Sequence, residues 1–444
     1  MSDRYQGRTT RGLNRVPPTR NSEPQRKSRQ SSEKSSAKNQ PKQPKQRKIR
    51  KRAVKVRERF FGLGIGLDMQ LLLLVLLLLG IGLSTLFSAS YSYAYYYDSS
   101  SFSYITKQGI FAALGIVCML LVSTFNYAKL KNIRVGFLLA TVIMLGIVLV
   151  LRGTAIVPRI NGACRWINIG GLSVQPSEIA KFTSILMISG TLSKYDGKDV
   201  PFFRGVLPCF LWFGLFAVMV VLEPHVSATL IIAFICSAVM LAGGVKLRYF
   251  LLLAIPAGAV GTWYIIKSGK FSHVMPRILG WLNPFNPPEG VDTYQTTQSL
   301  YAIGSGGLFG TGIGQSRLKH LLLPEPQNDF VFAIFCEEMG LAGAVVVIIL
   351  FLWLIWRGIN ISLHAKDRFG TLLGTGITFT IGIQAASNIC VVTNAFPNTG
   401  ISLPFFSYGG SSLLVLLCEM GVLLSISRYN YRQDSLGIPE KTIE

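Results

Sequence analysis

Acidic residues are scarce in this chain: 21 Asp and Glu stand against 44 Lys and Arg in 444 residues, a formal net charge of +23. Histidine is scarcer, with four, and the seven cysteines lie scattered at 118, 164, 209, 236, 336, 390 and 418. There is no Cys-x-x-Cys pair and no Cys/His metal spacing, so a disulfide framework or zinc module is excluded. Only Cys164 falls in a loop, and the others read as small apolar core residues. A Ser-His-Asp order, a P-loop and a dinucleotide fingerprint are also missing. The glycine run Gly304-Ser305-Gly306-Gly307-Leu308-Phe309-Gly310-Thr311-Gly312 lacks the strand and helix context of a nucleotide site.

What the chain has instead is apolar length. Half of its residues are hydrophobic, gathered in blocks such as Met69–Phe87, Val135–Leu151 and Ala344–Trp356 with its preceding turns. These blocks approach the roughly 20 residues that cross a bilayer as helix. They are too continuous for barrel strands, which alternate over about 10 residues. The reading is an all-α polytopic membrane protein, since only helices and closed barrels satisfy their backbone in lipid. Ten spans are expected, near 69–88, 108–124, 135–151, 177–193, 204–222, 226–243, 249–266, 330–356, 370–393 and 410–427.

Residues 1–59 carry 20 Lys and Arg against four acids, +16 of the total. Rich in Ser, Gln, Pro and Lys, this tail is expected to be disordered. A polybasic segment beside a first membrane helix suits the anionic cytoplasmic leaflet better than nucleic acid, for which the rest of the chain has no motif. The charged stretch is too large, and the run from Met69 too long, for a cleaved signal peptide. Excess Lys and Arg mark inner loops, so both termini are expected in the cytoplasm, the short tail 431–444 included. Three loops then face outside: 152–176, the large loop 267–329 before the eighth span, and 394–409, which carries no charge. The tyrosine-rich 89–107 reads as an interfacial aromatic belt.

An acid at the lip of a membrane helix is costly unless it is paired or used. Asp329 opens the eighth span, after the rigid Pro324-Glu325-Pro326. By position alone it is a helix N-terminal acid favoured by the macrodipole, with Asn328 as candidate N-cap. The convergence of three outer loops nearby points the other way, to chemistry. Glu178 and Lys181 open the fourth span three residues apart, on one helix face, as a structural ion pair or a substrate site. Before them, Arg165-Trp166-Ile167-Asn168 offers a cation suited to phosphate, an indole and an amide. Ser407-Tyr408-Gly409-Gly410-Ser411-Ser412 opens the tenth span, either as an anion nest or, more simply, as close helix packing by small residues. Glu337, Glu338, Glu223, His225 and Glu419 read more simply as satisfied interior groups than as a proton relay.

Together these stretches resemble the SEDS family of FtsW, RodA and SpoVE. The resemblance is carried by Arg165-Trp166-Ile167, Gln175-Pro176-Ser177-Glu178-Ile179-Ala180-Lys181, Tyr294-Gln295 with Gln298-Ser299, Leu323-Pro324-Glu325, Asn328-Asp329-Phe330, Glu337-Glu338-Met339-Gly340, Leu403-Pro404, and Ser407 to Ser412, over about 69–430. Gly314-Gln315-Ser316-Arg317-Leu318-Lys319 resembles the division and sporulation branch more than RodA. The resemblance implies a peptidoglycan glycosyltransferase that polymerises lipid II on the outer face of the bacterial cytoplasmic membrane. It implies Asp329 as the essential catalytic aspartate and Glu178 with Lys181 as an ion pair. It also implies substrate contacts among Arg165, Trp166, Glu178, Lys181, Gln298, Ser407, Gly409, Gly410 and Ser411. A class B penicillin-binding protein, the cognate transpeptidase, is the implied partner, within a division complex.

Two departures matter. The family often has Gln-Pro-Asp-x-Gly between its fifth and sixth spans, where this chain has Glu223-Pro224-His225-Val226-Ser227, so no role transfers to that aspartate. The loop Pro397-Asn398-Thr399-Gly400 lacks the lysine of some division members. As chemistry, Asp329 would take or hold the acceptor hydroxyl's proton. Arg165 and Lys181 would offset the donor's diphosphate. A divalent cation, magnesium or manganese, would bridge Asp329 and phosphate oxygens, because no carboxylate cluster completes a cage. Two rival classes stay open: a lipid II flippase or other transporter, and a noncatalytic division scaffold.

Overall fold

In hydrocarbon each backbone N–H and C=O must find a partner within its own segment, so the apolar runs become helices. The computed structural model describes residues 66–98, 100–159, 164–170, 172–195, 200–223, 225–252 and 271–436. The expected basic tail 1–59, most of the expected seventh span 249–266 and the terminal residues 437–444 lie outside the described residues. In chain order come α1 Met69–Asp98, α2 Ser103–Thr124 and α3 Ala128–Val150. A small antiparallel hairpin follows, β1 Ile167–Ile169 with β2 Leu172–Val174, in which Asn168 faces Ser173. Next are α4 Pro176–Leu192, α5 Leu207–Leu222 entered through a π-helical turn Phe202–Val206, and α6 Val226–Ala242. Then follow α7 Phe271–Leu282, α8 Tyr294–Gly306, α9 Val331–Leu363, α10 Arg368–Val392 and α11 Gly410–Leu436.

Seven of these are long and apolar enough to cross a membrane: α1, α2, α3, α5 with its π turn, α9, α10 and α11. Helices α4 and α6, at 17 residues each, stand where the fourth and sixth spans are expected, and a helical stretch at 247–252 opens the seventh. Leu73, Ile110, Leu139 and Phe203 are 58–78% exposed around a core of Leu71, Leu78, Ile185, Phe216 and Phe406, each fully buried. So much apolar surface at the rim is tolerable only against lipid: this is a polytopic membrane protein. Close backbone approach replaces the hydrophobic drive between helices. Helix α11 packs on α2 at Gly421, where a Cβ would stand 2.6 Å from the Met119 carbonyl oxygen.

Two expectations change. Helix α1 runs on to Asp98, so Tyr95, Tyr96 and Tyr97, 61–69% exposed, ring the end of a helix rather than lie in a loop. The expected single span 330–356 is interrupted at Gly340, whose φ of 64° and ψ of −169° are not helical. The glycine run fills the break. Thr311 and Gly312 N–H groups donate to the carbonyls of Glu337 and Glu338 at 2.9 and 3.0 Å, and Leu341 and Ala342 donate to those of Gly307 and Leu308 at 2.9 and 3.0 Å. A Cβ on Gly340 would stand 2.4 Å from the Gly310 nitrogen. Below it, Lys319 donates to Glu338 Oε1 (3.2 Å), Ser88 Oγ (3.0 Å) and the Gly314 carbonyl (2.6 Å), while Ser316 Oγ and the Arg317 amide donate to Glu337. Both glutamates are satisfied interior groups, as expected.

The large loop is likewise folded. Helix α7 has 12 residues, roughly 18 Å at 1.5 Å per residue, too short to span. Its apolar positions 271, 274, 275, 278, 279 and 282 form one stripe. Trp281 Nε1 donates to the Asn394 carbonyl (3.0 Å), and Asn394 Nδ2 returns a bond to the Trp281 carbonyl (3.1 Å). From α8, Ser299 Oγ donates to the Val392 carbonyl at 2.9 Å. The loop is thereby fastened over the C-terminal end of α10.

Candidate active site

Helix α9 begins one residue later than expected. Its N-cap is Phe330, buried and without a side-chain cap bond, so Asp329 precedes the helix rather than sitting in its first turn. Asn328 is not the cap: its amide donates to Glu325 Oε2 at 3.0 Å. Glu325, between two prolines, holds a φ of 45°, a left-handed geometry that non-glycine residues keep only where their surroundings enforce it. This turn aims Asp329 away from the helix axis.

Asn388 of α10 does the anchoring, and the sequence reading missed it. Fully buried, its Nδ2 donates to the Asp329 carbonyl and to the Ile401 carbonyl, both at 2.7 Å. The second bond brings the 394–409 loop alongside, and a Cβ on Gly400 would stand 3.2 Å from Asp329 Oδ2. Further ties close the mouth. Tyr408 N–H donates to the Gln327 carbonyl (2.9 Å), Gln295 Nε2 to the Pro324 carbonyl (3.3 Å), and Asn398 Nδ2 to Gln295 Oε1 (3.3 Å). The only sequence signal for Asn388 is an amide within an apolar run, where a polar group normally has a job.

Half-buried Asp329 has its carboxyl pushed up to about 6. Burial is the main cause and the Glu325 carboxylate the second, with Arg165 pulling downward. Arg165 is half-buried ahead of β1, and burial depresses its pKa; Asp329 and Glu223 act to raise it and Arg277 to lower it further. Arg165 thus lies within electrostatic reach of the aspartate predicted for chemistry. Trp166 beside it is half-buried.

Glu178 and Lys181 pair at 2.7 Å near the start of α4. They line a cleft of about 450 Å³ with Thr380 and Gln384 of α10, the loop 402–407, and Ser412, Leu413 and Glu419 of α11. Ser407 lines it too; its Oγ accepts from the Leu403 amide at 2.8 Å. Asp329 and Arg165 are not among the lining residues. Two groups therefore stand apart, an outer one around Asp329 and a deeper cleft, with the stretch Gly400–Ser407 bordering both.

The remaining predicted residues serve the backbone of that stretch. Buried Gln108 of α2 donates to the Ser407 carbonyl (3.3 Å) and accepts from the Gly409 amide (3.1 Å). Gly410 leaves room for Phe111, whose ring would lie 2.4 Å from a Cβ, and Ser411 Oγ accepts from the Gln175 amide at 3.3 Å. This is the close-packing reading of the glycine pair. Gln298 is half-buried on α8, one turn beyond Gln295. Among the described residues no three His, Cys, Asp or Glu side chains are grouped to hold a metal ion.

Comparison with known proteins agrees with this layout. The family model described as "Cell cycle protein", that of FtsW, RodA and SpoVE, matches residues 69–432. "Stage V sporulation protein E" of Bacillus subtilis is 38% identical over 337 residues, covering 74% of this chain and 88% of its own. A protein of Geobacter sp. named "Probable peptidoglycan glycosyltransferase FtsW" is 36% identical over 331 residues, 73% of this chain and 87% of its own. The crystal structure of the rod shape determining protein RodA from Thermus thermophilus aligns with a TM-score of 0.59 at 25% identity, over 82% of this chain and 98% of that one. A chain from a solved peptidoglycan synthase complex aligns with a TM-score of 0.66 at 24% identity, over 82% and 99%. On motifs, fold and match alike, this chain belongs to the FtsW, RodA and SpoVE family.

Proposed function

We propose that this chain, a peptidoglycan glycosyltransferase of its family, polymerises lipid II on the outer face of the cytoplasmic membrane, with Asp329 as catalytic residue. The observation that carries this reading is the setting of Asp329: half-buried, raised to about 6, and moored by Asn388 between two outer loops. A carboxylate of that pKa is ionised at pH 7 yet basic enough to take a proton from a sugar hydroxyl as it attacks. The attack forms the new glycosidic bond and breaks the donor's bond to its diphosphate. Arg165 offsets the charge that gathers on the leaving diphosphate, as an arginine fork suits. The Glu178–Lys181 pair and Ser407 hold the polar part of one substrate in the cleft, with Trp166, Gln298, Gly409, Gly410 and Ser411 bordering the path. Two neighbouring carboxylates, Glu325 and Asp329, fit a divalent cation shared with substrate phosphates better than a closed protein cage. Bound there, magnesium or manganese would neutralise phosphate charge.

The basic tail 1–59 puts both termini in the cytoplasm and the mouth of α9 outside. The partner is a class B penicillin-binding protein, in keeping with the synthase complex whose fold the chain shares, and the process is division or sporulation. The test is purified protein, with and without that transpeptidase, given lipid II and a divalent cation. Glycan strands that vanish with Asp329→Asn support the reading. Full polymerisation by that variant sinks it, and translocation of labelled lipid without polymerisation makes the chain a transporter.

A further inference from the structure

Glu223 is the anomaly of this molecule. It closes α5, is 0% exposed, and neither carboxyl oxygen has a hydrogen-bond partner. A buried carboxyl left this way needs an explanation. Its surroundings are polar and close to the outer site. Arg152 donates to the carbonyl of the preceding Leu222. His225 Nδ1 meets Ser177 Oγ at 3.3 Å, one residue before Glu178. Ser227 Oγ donates to the Thr399 carbonyl, next to the Gly400 that faces Asp329. The α5–α6 corner is thus stitched to the start of α4 and to the loop flanking Asp329.

We propose that Glu223 gates Arg165: it competes with the substrate's diphosphate for the guanidinium, so that substrate binding is linked to protonation of Glu223. This rests on the reading above that Arg165 meets the diphosphate. The charged groups facing the corner support it. Arg152 and Arg165 both favour the ionised form of Glu223, yet burial outweighs them and raises its carboxyl to about 8. Neighbouring His225 faces Arg165 and Lys181, and with burial they hold its imidazole neutral, down to about 3. Arg165 in turn feels Asp329, Glu223 and Arg277. Near pH 7 Glu223 is neutral and leaves Arg165 available to an anion. Above about pH 8 it ionises, draws on the guanidinium and repels the diphosphate. Binding then requires Glu223 to take one proton from solvent. Glutamine, found at this position in many relatives of the family, has the shape without the switch.

The experiment is equilibrium binding of fluorescent lipid II to the full-length protein in nanodiscs, from pH 6.5 to 9.5. Wild-type Kd is expected to be flat below about pH 8 and to rise above it, by at most about tenfold per pH unit, the limit for one linked proton. Glu223→Gln is expected to give a Kd flat across the range, and Glu223→Asp to keep the rise with a displaced midpoint. A Glu223→Gln protein whose Kd rises as in wild type overturns the gate, as does a flat wild type. If Glu223→Gln does not fold, an unmoved midpoint in Glu223→Asp overturns it instead. Arg165→Ala separates the two ideas. Wild-type affinity in that variant removes Arg165 as the diphosphate seat, whereas weakened binding alongside a flat wild type removes only the gate.

Discussion

At the scale of single residues, the site turns on where an acid is held and what it costs to keep it there. Desolvation is the largest influence on Asp329, and the same burial that raises its carboxyl to about 6 makes it a usable base. The rate dependence follows in sign. Asp329 works as its ionised form, so polymerisation by wild type is expected to fall as pH drops through about 6, checked by initial rates on lipid II. Asp329→Asn keeps the shape and is expected to lose about 10²–10⁴-fold in kcat. Lys319 is a contrasting buried charge with a structural task. Lys319→Met leaves the Glu338 carboxylate buried without its cation, expected to cost about 3–5 kcal/mol. Adding Glu338→Gln should recover most of that, read by denaturant unfolding in detergent. Asp329 was legible in the sequence because acids are rare and this one stands at a helix mouth. Asn388 was not, because an amide in an apolar run does not announce its two carbonyl partners.

At the scale of elements, α9 is the informative case. Its apolar length predicts one span, yet the helix is cut at Gly340 and repaired by four backbone bonds from a loop about thirty residues earlier. A break is tolerable only where protein supplies the missing partners. Gly340→Ala would put a Cβ within 2.4 Å of the Gly310 nitrogen and 2.6 Å of the Leu308 oxygen, at a φ of 64°. It is expected to destabilise by at least about 1–3 kcal/mol from backbone strain alone, with a matching loss in thermal stability. The glycine run 304–312 belongs to this repair. Its function was hidden in the sequence because the partner strip, 337–342, lies in another element.

At the scale of the whole molecule, distant loops form one mouth. The segment 324–329, helix α8, the loop 394–409 and the α5–α6 corner are joined by Asn388, Gln295, Asn398 and Ser227. Asn388→Ala removes the donor from two buried carbonyls, and leaving each unsatisfied costs about 1–3 kcal/mol. The variant is expected to lose at least tenfold in polymerisation while Asp329 itself is intact, measured beside its thermal stability. The deeper cleft responds differently. Lys181→Met strips the partner from Glu178 and is expected to weaken lipid II binding more than it lowers the rate at saturation, read as a KM-against-kcat split.

The sequence alone determined that the chain is a bundle of membrane helices, because apolar length and the cost of unpaired backbone leave no other solution. It also determined the family, since several long motifs occur in the same order. Tertiary structure decided the rest. It interrupted α9, extended α1 into the tyrosines, tied Asp329 to Asn388, and kept the Glu178–Lys181 cleft apart from the aspartate's mouth. Each of those outcomes depends on which distant groups arrive to satisfy a buried polar atom, and spacing along the chain does not encode that.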